Sequence, residues 1–93
     1  MLFVSLLTAK PTFTFEKAMQ RRTDWKEPAG VKPVAEYWLM NPSPMVISID
    51  EADSIAPLMA AVAGWSDLFE TTIVPAISAE EGLKLASQMI PST

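Results

Sequence analysis

Leu2-Phe3-Val4-Ser5-Leu6-Leu7-Thr8-Ala9, directly after Met1, is the stretch that decides the fold. Side chains of an extended chain alternate between two faces. Leu2, Val4 and Leu6 therefore share one face, and Phe3 and Leu7 take the other. A strand apolar on both faces belongs in the middle of a sheet that is covered on both sides. Pro11 interrupts the pattern, and Thr12 or Thr14 can cap a helix running to about residue 26. In that helix Phe15, Ala18, Met19, Arg22 and Trp25 recur at helical spacing. Pro28-Ala29-Gly30 ends it.

Residues 31–40 read as a second strand, Asn41-Pro42-Ser43-Pro44 as a turn, and residues 45–50 as a third strand. The short connection makes the two strands a hairpin. A second helix follows, with Ser54 as its expected N-cap and Pro57 in its first turn, where a missing N–H costs nothing. Its expected inward stripe is Ile55, Leu58, Met59 and Val62. Gly64 is expected at the left-handed position after its C-terminus. Residues 68–77 are rich in β-branched side chains and read as a fourth strand. Ser78-Ala79-Glu80-Glu81 is a capping box opening a third helix through Ile90, with Leu83, Ala86, Met89 and Ile90 on its apolar side.

This order, β-α-β-β-α-β plus a helix, predicts one α+β domain over residues 1–93. Right-handed crossovers give an antiparallel sheet ordered 4-1-3-2 with two helices on one face. Strands two and four then lie at the edges, which suits Pro33 and Pro75. The helices cover one face only. Because the first strand is apolar on both, a second copy of the chain is expected on the other face.

Composition narrows the chemistry. The chain has 93 residues, 49% of them hydrophobic, with no cysteine and no histidine. Disulfides, thiolate metal sites and a cysteine nucleophile are excluded, as are histidine bases and ligands. No metal and no cofactor are expected. The net charge of −4 argues against nucleic acid. Six of the seven basic residues lie in the first 33, which reads as a solvated basic first helix or, more sharply, as an anion-binding face, though the interleaved aromatics and glycines of a nucleic-acid or phosphate site are lacking. The uncharged run from Ser54 to Ser66 is too short to span a bilayer. Without a basic region before the apolar start, a cytoplasmic protein is the expectation.

The stretch Trp65-Ser66-Asp67-Leu68-Phe69-Glu70, leading to Val74-Pro75-Ala76-Ile77, together with the element order, resembles an uncharacterised prokaryotic family. That family lies in the dimeric α/β-barrel (ferredoxin-like) superfamily, and the resemblance extends over nearly the whole chain. It implies a ferredoxin-like sandwich, a homodimer and a small-molecule pocket. Other branches of the superfamily include cofactor-independent monooxygenases, muconolactone-isomerase-like enzymes, haem-degrading enzymes and ligand-sensing domains. Their catalytic residues cannot be carried over to this chain, and the haem-handling branches typically use a histidine that it lacks.

Candidate site residues follow from the hairpin. If Met40 faces Met45 across the turn, then Glu36, Trp38, Met45, Ile47 and Ile49 share a face, and Tyr37 and Ser48 take the other, with Ser5. A bulge would reverse this. Glu36 among apolar groups is either a carboxylate of raised pKa or an edge-strand charge that blocks aggregation. Tyr37 is either a hydrogen-bond donor to a ligand or part of a subunit interface. The expected pocket is lined by Trp38, Met45 and Met59 and anchored by Glu36 or Tyr37. Trp65, Asp67 and Glu70 read as a capping and packing unit. Asp50, Glu51 and Asp53 lack the glycine and terminal glutamate of a calcium loop, so helix-start electrostatics explain them better. Three functions compete: a homodimeric module that binds or senses a small apolar organic ligand, a cofactor-independent monooxygenase- or isomerase-like enzyme, and a subunit that only associates.

Overall fold

A computed structural model describes residues 1–90; the last three residues of the expected 1–93 domain lie outside the described part. The elements are β1 (Leu2–Ala9), α1 (Phe15–Asp24), β2 (Lys32–Trp38), β3 (Val46–Glu51), α2 (Ala56–Ala63), β4 (Phe69–Ala76) and α3 (Ala79–Met89). The four strands are antiparallel and lie in the order β2-β3-β1-β4, which counted from the opposite edge is 4-1-3-2. The two-faced β1 is thus central and the proline-bearing β2 and β4 are the edges. The result is a ferredoxin-like α+β arrangement with an added C-terminal helix.

Register assigns the faces. In β1, Phe3, Ser5 and Leu7 stand opposite Asp50, Ser48 and Val46 of β3, and opposite Pro75, Ile73 and Thr71 of β4. These residues look towards the helices. Phe3 packs with Ala52 and Leu58 of the α2 region. At the other end of the same face Ala18 of α1 packs with Leu68 and Phe69, joined by Leu7, Phe13 and Trp65. The helix face therefore carries two separate clusters of buried apolar groups. The opposite face carries Leu2, Val4 and Leu6, flanked by Ile47, Ile49, Thr72 and Val74. No element of the described chain covers it, and Val74 is 40% exposed there.

The helix ends obey local chemistry. Thr14 caps α1 and Ser78 caps α3, each accepting from a backbone N–H three residues on, of Lys17 and Glu81. α1 is tied down by Arg21, whose guanidinium makes a two-pronged bond with Asp67, donates to the Gly64 carbonyl at 3.0 Å and lies 5.4 Å from the Trp65 ring centre. Asp67 is held down to about pKa 2 by its bond to Arg21.

Three expectations are corrected. α2 is capped by Ile55 rather than Ser54, with Pro57 at the second helical position and no side-chain cap. Its inward side is Leu58, Ala61 and Val62, while Ile55 and Met59 are exposed. Every residue of Ala56–Ala63 is apolar, so no polar face exists to set the rotation. Gly64 has φ −70°, not a positive value; the left-handed glycine is Gly30, at φ 90°. At Gly64 the reason for glycine is space, since a Cβ there would lie 2.8 Å from Trp25 Cη2.

The hairpin is the third correction. Trp38 pairs with Val46 and Glu36 with Ser48, and the register shifts between Pro33 and Ala35. Leu39, not Met40, meets Met45, its N–H donating to the Met45 carbonyl at 2.7 Å. This one-residue slip changes the facing of the strand. Glu36 and Trp38 look towards the helices with Ser48, whereas Tyr37 shares the open face with Ile47 and Ile49.

Candidate functional site

Across the middle of the helix face runs the row Glu36, Ser48, Ser5, Ile73. Two serines occupy the centre, where a packed sandwich would carry branched apolar groups. Their small side chains do not fill the layer between sheet and helices, and the two apolar clusters sit on either side of them. The space left is a cleft of about 550 Å³. Its sheet side includes Ser5, Leu7, Val46, Ser48, Asp50 and Thr71. α1 contributes its whole sequence-predicted stripe, Phe15, Ala18, Met19 and Arg22, with Trp25 just beyond. α2 contributes Leu58, Ala61 and Val62, and the hairpin contributes Trp38, Leu39 and Met45. All three tryptophans of the chain, Trp25, Trp38 and Trp65, line it.

Of the five site residues read from the sequence, the structure brings Glu36, Trp38 and Met45 together on this cleft. It does not bring Tyr37 or Met59 there. Tyr37, 56% exposed, is on the open face of the sheet, and Met59, 60% exposed, is on the outer side of α2. Ser48, expected opposite Glu36, lies beside it. Asp50 and Glu27 were not among the sequence candidates. Asp50 ends the third strand read over residues 45–50, with its charge assigned to the start of the next helix; it is the fifth residue of β3, and period two from Ser48 puts it on the same face. Glu27 lies in an irregular segment, so no sequence period places it.

The polar groups gather at one end. Glu36 Oε2 accepts from Trp38 Nε1 at 2.6 Å and from Arg22 Nε at 3.2 Å. Asp50 is only 5% exposed, and its Oδ2 accepts from Ser48 Oγ at 3.0 Å. Burial pushes the Asp50 carboxyl above the usual range, the Ser48 bond opposes this, and the charge of Glu36 adds to the rise. Glu27 is raised first by desolvation and then by the charge of Asp50, against a lowering bond to Trp25. Thr71 Oγ1, also on the cleft, is buried without a hydrogen-bond partner among the described residues. No group of three or more carboxylates among the described residues is placed to hold a metal ion. No described helix is long and apolar enough to cross a membrane.

The raised carboxyls set a direction for stability. Between the unfolded and the raised native pKa of Asp50 and Glu27 the native state holds more protons, so unfolding free energy falls as pH rises through that window. Asp67, lowered to about 2, acts oppositely, and only below the ordinary carboxylate range. Urea unfolding is therefore expected to show stability falling as pH rises above the ordinary carboxylate range, and Asp50→Asn is expected to flatten that slope. A slope of the other sign would mean that Asp50 is paired with a cation, and no slope that it is solvated.

A family model described as "Domain of unknown function (DUF3303)" matches residues 1–90. No curated protein and no solved structure matches the chain.

Proposed function

The chain belongs to the DUF3303 family, and we propose that it is a homodimeric module that binds a small, mostly apolar organic molecule in the cleft between sheet and helices. The observation that carries this reading is the Ser5–Ser48 pair at the centre of the core layer. A subunit built only to associate gains stability by filling that position; here it opens a cleft with apolar walls and a few convergent polar groups, the usual make-up of a ligand site. The ligand's apolar body rests on Phe13, Phe15, Trp38, Met45 and Val62, and its polar end meets Glu36, Ser48 and Asp50.

The dimer in this proposal is face to face through the open side of the sheet, as in dimeric α/β barrels. Four strands about 4.8 Å apart and roughly 25 Å long offer on the order of 500 Å² before side-chain relief. That is somewhat below the share of each partner in a standard interface, about 800 Å². Leu83 and Met89 of α3, and Ile90 just after it, are exposed apolar groups as well.

Native mass spectrometry of protein taken gently from cell extract tests the binding reading. The expected result is a species heavier than bare chains by one small molecule per subunit, released by organic solvent. Bare chains, with no stabilisation by any member of an apolar ligand set, would favour the association-only reading. A second, enzymatic reading draws on Asp50 and Glu27, because carboxyls with raised pKa beside an apolar cleft suit proton transfer to or from a bound, activated substrate. A bound molecule that emerges chemically changed after incubation would favour it.

A further inference from the structure

The charges on the cleft do not balance. Its lining holds three carboxylates, Glu27, Glu36 and Asp50, and one cation, Arg22. Arg22 is committed to Glu36, which also takes the Trp38 N–H on the same oxygen. Asp50, nine-tenths buried and more, has Ser48 as its one side-chain donor, on Oδ2; its Oδ1 accepts from no side chain among the described residues. Glu27 is raised by desolvation and by the charge of Asp50, with smaller influences from the Trp25 side chain and Arg22, which lower it, and from Glu36, which raises it. From α2 the facing groups are Leu58, Ala61 and Val62, which carry no charge. A buried carboxylate without a counter-ion is costly, and a protein keeps one where something else supplies the charge.

We infer that the cleft takes an apolar organic amine, its protonated nitrogen set between Asp50 and Glu27 and its hydrocarbon or aromatic body along the hairpin end. This assignment rests on the cleft being a ligand site and adds the class of the ligand. An acid would bring a fourth negative charge to a place with one engaged guanidinium. An alcohol would donate a hydrogen bond to Asp50 or Ser48 but leave the carboxylates uncompensated. An ammonium group does both, and the electron-rich faces of Trp25 and Trp38 at the cleft favour a cation as well.

Three probes with one skeleton separate the cases: 4-phenylbutylamine, 4-phenylbutan-1-ol and 4-phenylbutyrate. The intrinsic fluorescence of the protein reports binding, because every tryptophan lines the cleft. At pH 7 the amine is expected to bind at least tenfold more tightly than the alcohol, with the carboxylate weakest. Asp50→Asn is expected to remove most of the amine's advantage, so that the ratio of amine to alcohol affinity falls from at least tenfold to near one. Glu27→Gln, at an exposed position that can hardly affect folding, is expected to cut the amine's advantage several-fold. An alcohol that equals the amine, or a carboxylate that leads, would overturn the amine assignment and leave the cleft as a site for another class. Silence from all three probes, with no change in unfolding temperature, would overturn both.

Discussion

Leu68→Ala is expected to lower the unfolding free energy by about 3 kcal/mol, in the range of buried leucine truncations. Leu68 is 1% exposed, the most completely buried large side chain of the described residues. It sits just before β4, wedged with Ala18 and Phe69 and bordered by Leu7, Phe13, Val46 and Trp65. Its backbone is fixed on both sides, since its N–H donates to the Trp65 carbonyl at 3.0 Å and its carbonyl accepts from Lys10 at 2.9 Å. The surroundings therefore cannot collapse into the space left. A domain of this length has roughly 5–14 kcal/mol in total, so the variant gives up a large share. Urea unfolding checks it, with Leu83→Ala on the exposed α3 as the comparison, expected to stay within about 0.5 kcal/mol when both chains are studied as monomers. A loss below 1 kcal/mol at Leu68 would mean that α1 does not hold this cluster against the sheet.

Val4→Lys is expected to turn the proposed dimer into a folded monomer. Val4 is central on the open face, with Ile49 on one side and Val74 on the other. In a single chain a lysine there reaches water, at a cost below about 1 kcal/mol of strand preference. Between two sheets it would bury two ammonium groups, one from each copy, without partners, a penalty of several kcal/mol per ion. Association should weaken by a factor of a thousand or more. Sedimentation at micromolar concentration is the measurement. The unaltered protein should run as two 10.2 kDa chains and the variant as one, with unchanged far-ultraviolet circular dichroism. If the unaltered protein is already a single chain, the dimer is refuted.

Much of this molecule follows from short-range rules. β1 is central because an octapeptide apolar on both faces has no stable place at an edge. Pro33 and Pro75 are on edge strands because a ladder cannot use a residue without an N–H. Thr14 and Ser78 start their helices because each offers an oxygen to a donor three residues on. The stripe from Phe15 to Trp25 lines the cleft because one helical period decides its direction. Trp38 and Met45 were legible as lining residues, and Glu36 as the carboxylate among them.

What the sequence could not determine depended on contacts between elements. The facing of Glu36 and Tyr37 hung on whether Met40 or Leu39 met Met45, a slip of one residue that no local pattern resolves, and the shift between Pro33 and Ala35 belongs to the paired ladder. The rotation of α2 was open because its eight apolar residues are equivalent to any local rule, and only packing of Leu58 on Phe3 chose among them. Gly64 was legible as a helix end, but its reason, the Trp25 ring where a Cβ would stand, comes from a residue 39 positions earlier. By itself the sequence determined which segments become strands and helices and which strand is central, since those depend on neighbours along the chain. Only the tertiary structure brought Ser5 beside Ser48, opened the cleft over them and placed Asp50 and Glu27 at its polar end, because the empty volume and the unbalanced charge exist only between elements that are distant in the chain.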